Sequence, residues 1–136
     1  MATKADIRDA FDALTAATLA ISPAIPVIYG NVENVSLSEG TAPFVKQRIL
    51  FTSNSQMELG NRCARRKRGY ISFAIYVRYD TGDLDRDLIL ERLEDAFRSR
   101  EVGDATTLDA QVVGSMRAEN WAVTALQVPF YYETTT

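Results

Sequence analysis

Residues 61–83 read NRCARRKRGYISFAIYVRYDTGD, and the middle of that stretch decides the fold. Ile71, Phe73, Ile75 and Val77 share one parity, while Tyr70, Ser72, Ala74, Tyr76 and Arg78 take the other. A period of two is that of a strand with one face in a core. Each large apolar side chain withdrawn from water stabilises by about 1.5–3 kcal/mol, so four in a row place this strand at the centre of a sheet. The residues before it differ in kind. Arg62, Arg65, Arg66, Lys67 and Arg68 set five positive charges in front of the strand, in a chain whose formal net charge is −3.

Upstream, Val45, Ile49 and Phe51 alternate with Lys46, Arg48 and Thr52, which predicts a half-buried strand over about 44–53. The two strands together read as a long hairpin with the cationic run at its end. Nearer the N-terminus, Thr3 caps a helix in which Ile7, Phe11, Leu14 and Thr18 recur at helical steps, until Ser22-Pro23 stops it. A short strand, Val27 to Tyr29, and a polar loop follow. Downstream, DTGD opens a second helix over about 83–99, with Ile89, Leu93 and Phe97 on one face.

Two further strands are expected over about 108–116 and 121–132, joined tightly through RAEN. In the last of them Ala122, Thr124, Leu126, Val128 and Phe130 oppose Trp121, Val123 and Ala125. Pro129 has no N–H to give a ladder and predicts an edge or a bulge nearby. The terminal ETTT reads as a frayed tail. These elements predict one domain spanning 1–136 with an α+β fold. The expected form is a two-layer sandwich: a mainly antiparallel sheet of four to five strands, two helices on one face, and a projecting β-hairpin.

Composition narrows the chemistry. With no histidine and a single cysteine, Cys63, a zinc site and any triad using histidine as base are not expected. No internal disulfide can form, and neither a secretion signal nor a membrane span is legible, so a soluble intracellular product is expected. Asp83, Asp85, Asp87 and Glu94 fall at positions 1, 3, 5 and 12 of a calcium loop, but Leu88 stands where such a loop needs glycine. Carboxylates at a helix N-terminus, favoured by its dipole, explain them better. Paired carboxylates for glycoside hydrolysis, a phosphate-binding loop and a dinucleotide fingerprint are likewise not found. The sequence predicts no enzyme, no metal and no cofactor.

What remains is a surface. Tyr70, Tyr76 and Tyr132 are expected on an outer sheet face, where tyrosine serves protein contacts better than base stacking. Arginine outnumbers lysine in the cationic run, and its planar fork suits carboxylates or phosphates.

The order of parts resembles the tail terminator proteins of long-tailed bacteriophages, the lambda-type minor tail protein that caps the tail tube. The residues that carry the resemblance are IRDAFDALTAATLA leading into PVIYGNV, then TAPFVKQRILFTSN, then RCARRKRGYISFAIYVRYDTG before the second helix, and finally NWAVTALQVPFYYE. The resemblance implies a structural virion protein at the head-proximal end of the tail, assembled in the host cytoplasm as a ring, a homohexamer in that family. Such a ring stops tube polymerisation and offers the interface for head attachment. The implied partners are sister copies, the tail tube protein and head–tail connector proteins, with DNA threading the ring as a further candidate and no membrane. On this reading Arg62, Arg65, Arg66, Lys67, Arg68, Tyr70 and Tyr76 contact a neighbour, with Asp80 and Asp83 among the acidic groups that receive the cations. Two other readings fit the same residues: another ring protein of the neck, whether connector or head-completion protein, and a small nucleic-acid-binding module.

Overall fold

The computed structural model describes residues 4–20, 25, 27–29, 43–56, 64–78, 84–118 and 121–135. Along the chain they form α1 (Lys4–Leu19), β1 (Val27–Tyr29), β2 (Phe44–Gln56), β3 (Ala64–Arg78) and α2 (Leu84–Phe97). Four strands follow: β4 (Glu101–Val102), β5 (Ala105–Thr107), β6 (Gln111–Ala118) and β7 (Trp121–Thr135). The strands make one curled sheet of seven, ordered β1-β2-β3-β7-β5-β4, with β6 also pairing β7. β1 lies parallel to β2, and the other pairings are antiparallel. The α+β class is as expected. The antiparallel sheet of four to five strands is not: the sheet is larger and mixed. Strands of two and three residues, such as β4 and β5, are too short to show alternation, and local sequence does not fix whether β1 runs parallel.

β3 is the central strand. Its inner parity, Ile71, Phe73, Ile75 and Val77, faces Val128, Leu126, Thr124 and Ala122 of β7 across the ladder, and Ile71, Phe73 and Ile75 face Ile49, Gln47 and Val45 of β2. Both helices cover this face. α1 contributes Ile7, Phe11, Thr15 and Leu19, each one turn after the last, while Leu14 and Thr18 only flank the stripe. Thr15 tolerates burial because its hydroxyl donates to the Phe11 carbonyl at 2.9 Å. α2 contributes Ile89, Leu93 and Phe97. Aromatic rings knit the layers, with Phe11 and Phe130 at 4.9 Å and Phe73 and Phe97 at 5.4 Å between centroids.

Two particulars depart from the expected hairpin. β7 pairs with β3 over its whole length, from Arg78↔Trp121 to Ala64↔Thr135, so the cationic end is three strands broad and, among the described residues, no two-stranded ribbon projects there. For the same reason Thr134 and Thr135 belong to a strand, and the tail is paired as far as Thr135. Backbone groups of β3 need partners whatever side chains accompany them, and β-branched threonines suit the role.

Gly69 and Pro129 sit where their backbones are required. A Cβ on Gly69 would collide with the Leu50 carbonyl oxygen and come within 2.9 Å of the Phe130 ring, next to a register shift in β2 between Phe51 and Ser53. Pro129 turns its carbonyl to the outer edge of β7, where it accepts from the Leu108 N–H at 2.8 Å. Its missing N–H therefore falls between the segments held by β6 and β5, and the ladder with β3 is untouched.

Candidate assembly interface

On the face of the sheet away from the helices, β3 carries Arg66, Arg68, Tyr70, Ser72, Ala74, Tyr76 and Arg78 as a single stripe, set by alternation. Of the sequence-predicted residues, the structure thus brings Arg66, Arg68, Tyr70 and Tyr76 to one surface. Lys67 has the opposite parity and pairs with Tyr132. Arg65 stands between Gln56 and Thr134 in the ladder. Arg62, Asp80 and Asp83 lie outside the described residues, as does Cys63.

Arg66 is the best-placed cation. Its guanidinium donates to the Glu133 carboxylate at 2.8 Å, directly across the strand pair, and lies 4.5 Å from the centre of the Tyr131 ring. This pairing fixes the arginine while leaving the pair partly open to water, so it contributes well under about 1 kcal/mol to stability. Two further cations cover aromatic rings on the same face: Lys46 over Tyr76 at 5.0 Å and Arg78 over Trp121 at 5.1 Å.

Tyr132 is a correction. It was expected on the outer face, yet it is 2% exposed and packs on the helix side with Phe51 and Phe130. Its parity with Phe130 in β7 requires this, and Tyr131 takes the outer position. Burial pushes the Tyr132 phenol up from its ordinary pKa, and its hydroxyl has no hydrogen-bond partner among the described residues.

Tyr76 is only half available. It stacks on Phe44 at 4.6 Å with the rings 6° from parallel, and joins Ile28, Phe44, Trp121 and Val123 in a second apolar cluster. The alternation of β7 separates Trp121 and Val123 from the main core, but says nothing of their being buried on the far side. A tryptophan in β7 and a phenylalanine in β2, both on the parities that turn away from the main core, were the available signal.

Charge is segregated along the chain. β2 and β3 together hold seven cationic residues and no acidic one. Residues 84–109 hold eight acidic residues against four cationic ones. The β2–β3 part of the sheet and α2 therefore carry net charges of opposite sign.

A small polar group lies beneath α1, unforeseen because Gln47 shares the parity of Val45 and Ile49. Gln47 is 3% exposed and donates through Nε2 to the Asp12 carboxylate at 2.6 Å. Burial raises the Asp12 pKa most, opposed by that hydrogen bond and by Arg8 and aided by Asp9. The nearby Tyr29 phenol is raised by burial and then by Asp12. A single carboxylate beside an amide and a phenol offers no nucleophile and base in relay. Among the described residues no cluster of three or more histidine, cysteine, aspartate or glutamate residues is placed to hold a metal, and no helix is long and apolar enough to cross a membrane.

No family model and no curated protein matches the sequence. Several solved structures are similar; one of them matches over 98% of this chain and 98% of its own, with a TM-score of 0.73 and 13% sequence identity. At that identity the likeness is one of fold.

Proposed function

We propose that the chain is a structural virion protein, a ring-forming tail terminator that caps the tail tube of a long-tailed phage and receives the head connector. The observation that carries this reading is the segregation of charge on one rigid sheet. Arg66 and Arg68 stand beside Tyr70 and Tyr131 on the outer face, and the α2 side is acidic. Opposite signs on two sides of one subunit favour head-to-tail contacts, which close into rings when the rotation between copies allows. A surface of arginine and tyrosine is also the composition of protein contacts. The proposed acceptors of the cations are acidic residues of a neighbouring copy, Asp87 included, and the last ring of the tail tube.

The test is reversal of charge at three positions, Arg65→Glu, Arg66→Glu and Arg68→Glu together. Arg68 is exposed and the Arg66–Glu133 ion pair is partly open to water, so the monomer should keep its circular dichroism and melt within a few degrees of the parent. Sedimentation should show ring formation abolished, and tail extracts should no longer be capped. Assembly that proceeds unchanged in the triple variant refutes the reading.

A further inference from the structure

β6 is the exposed element of the fold. Among the described residues its ladder is with β7 alone, and every residue from Gln111 to Arg117 is exposed. Val112 is 52% exposed, Val113 55% and Met116 66%. Eight residues with a single charge, Arg117, and no proline leave little to discourage pairing with another strand. A bulge at Val113 is its one irregularity.

The other side of the sheet also ends in an open edge. β1 pairs only with Val45, Lys46 and Gln47, so from Arg48 to Gln56 the outer edge of β2 has no strand partner among the described residues. The open segments are of similar length, eight residues in β6 and nine in β2. Their directions also agree. β2, β3, β7 and β6 alternate in sense, so β2 and β6 run antiparallel. A copy brought alongside by rotation about an axis along the strands offers its β2 to β6 in the antiparallel sense, with the helix-covered faces on the same side.

Charge selects the same partner. In the antiparallel sense the start of β6 meets the C-terminal half of the open β2 segment, where Lys4 and Arg8 are exposed on α1 beside Phe51. At the start of β6 a shallow groove is lined by Glu94, Arg98, Asp109 and Ala110, and the exposed Asp95 lies on the same helix. At that end of β6 the flank of β2 carries the opposite sign.

We propose that the outer edge of β6 docks against the outer edge of β2, residues 48–56, of a second copy of this chain, head to tail. The proposal rests on the reading of the protein as a self-assembling subunit and names the contact between subunits. Val113 and Met116 become covered, and the open backbone groups of both edges acquire partners.

Cross-linking tests it in a Cys63→Ser background, with Ser115→Cys in one batch of protein and either Arg48→Cys or Thr52→Cys in another, the two positions bracketing the register. Under mild oxidation, mixed batches should give a covalent dimer and each batch alone should not. A dimer from Ser115→Cys alone means β6 meets β6 and overturns the proposal, as does the absence of any cross-link in the mixtures. Negative-stain images of the same samples separate the two levels of failure: annuli without cross-links leave the assembly reading standing and remove this contact alone. The pair Val113→Lys and Met116→Lys should weaken self-association roughly tenfold per side chain without altering circular dichroism. Unchanged association would also overturn the proposal.

Discussion

Replacing Gly69 by alanine tests the packing that holds the outer stripe in register. In a strand interior this substitution ordinarily stabilises by roughly 0.5–1 kcal/mol, because alanine restricts the unfolded chain. Here the added Cβ meets the Leu50 carbonyl oxygen, a backbone atom of the neighbouring strand, and crowds the Phe130 ring at 2.9 Å. A ring can turn aside, but a carbonyl in a ladder moves only with its strand. Overpacking of this kind costs about 1–3 kcal/mol, and displacing one backbone hydrogen bond adds about 1 kcal/mol. Set against the ordinary gain, the net loss is about 2 kcal/mol. For a chain of 136 residues that corresponds to a melting temperature lower by roughly 6–10 °C. Differential scanning calorimetry at pH 7 measures it directly. A melting temperature equal to or above that of the parent would refute the argument, since the gain from a stiffer unfolded chain would then be unopposed.

Other perturbations follow from the same structure. Tyr132→Phe deletes a buried hydroxyl that has no partner among the described residues, so stability should stay level or rise by up to about 1 kcal/mol in urea titrations. The same substitution should remove a stability loss that begins as pH rises past 10.0, because the folded phenol holds its proton after the unfolded one has released it. Asp12 gives the analogous effect at lower pH. Its folded pKa is raised, so its contribution is full below 3.8 and is lost as pH climbs through the folded value. Asp12→Asn keeps an oxygen for Gln47 and should be more stable than the parent at pH 7, with the difference vanishing near pH 3 in thermal melts. Self-association, resting on opposite charges, should weaken as salt rises from about 0.1 M to 1 M in sedimentation runs at constant protein concentration.

The sequence is most legible where side-chain parity is strict. Ile71 to Val77 identify β3 and its buried face from the letters alone, and the same alternation puts Arg66, Arg68, Tyr70 and Tyr76 on the other face. The helices are legible too, because Ile89, Leu93 and Phe97 mark one face of α2. Tyr132 was equally legible: counting by twos from Phe130 places it in the core, and reading it as part of an aromatic cluster hides that. The remainder depends on contacts between distant segments. Nothing near Thr135 announces that it pairs with Ala64, and nothing near Val27 announces a parallel partner. Trp121 and Phe44 form an apolar cluster opposite the helices because two strands far apart in sequence meet there. The exposure of β6 is a fact about what fails to cover it, and local pattern does not record that.

Tail tubes grown from purified subunits, with and without this protein, put the central claim to the most direct trial. Electron micrographs should show growth arrested and a ring of extra density seated on one end of each tube. Tubes that lengthen without limit beside a protein that remains a dispersed monomer would contradict it.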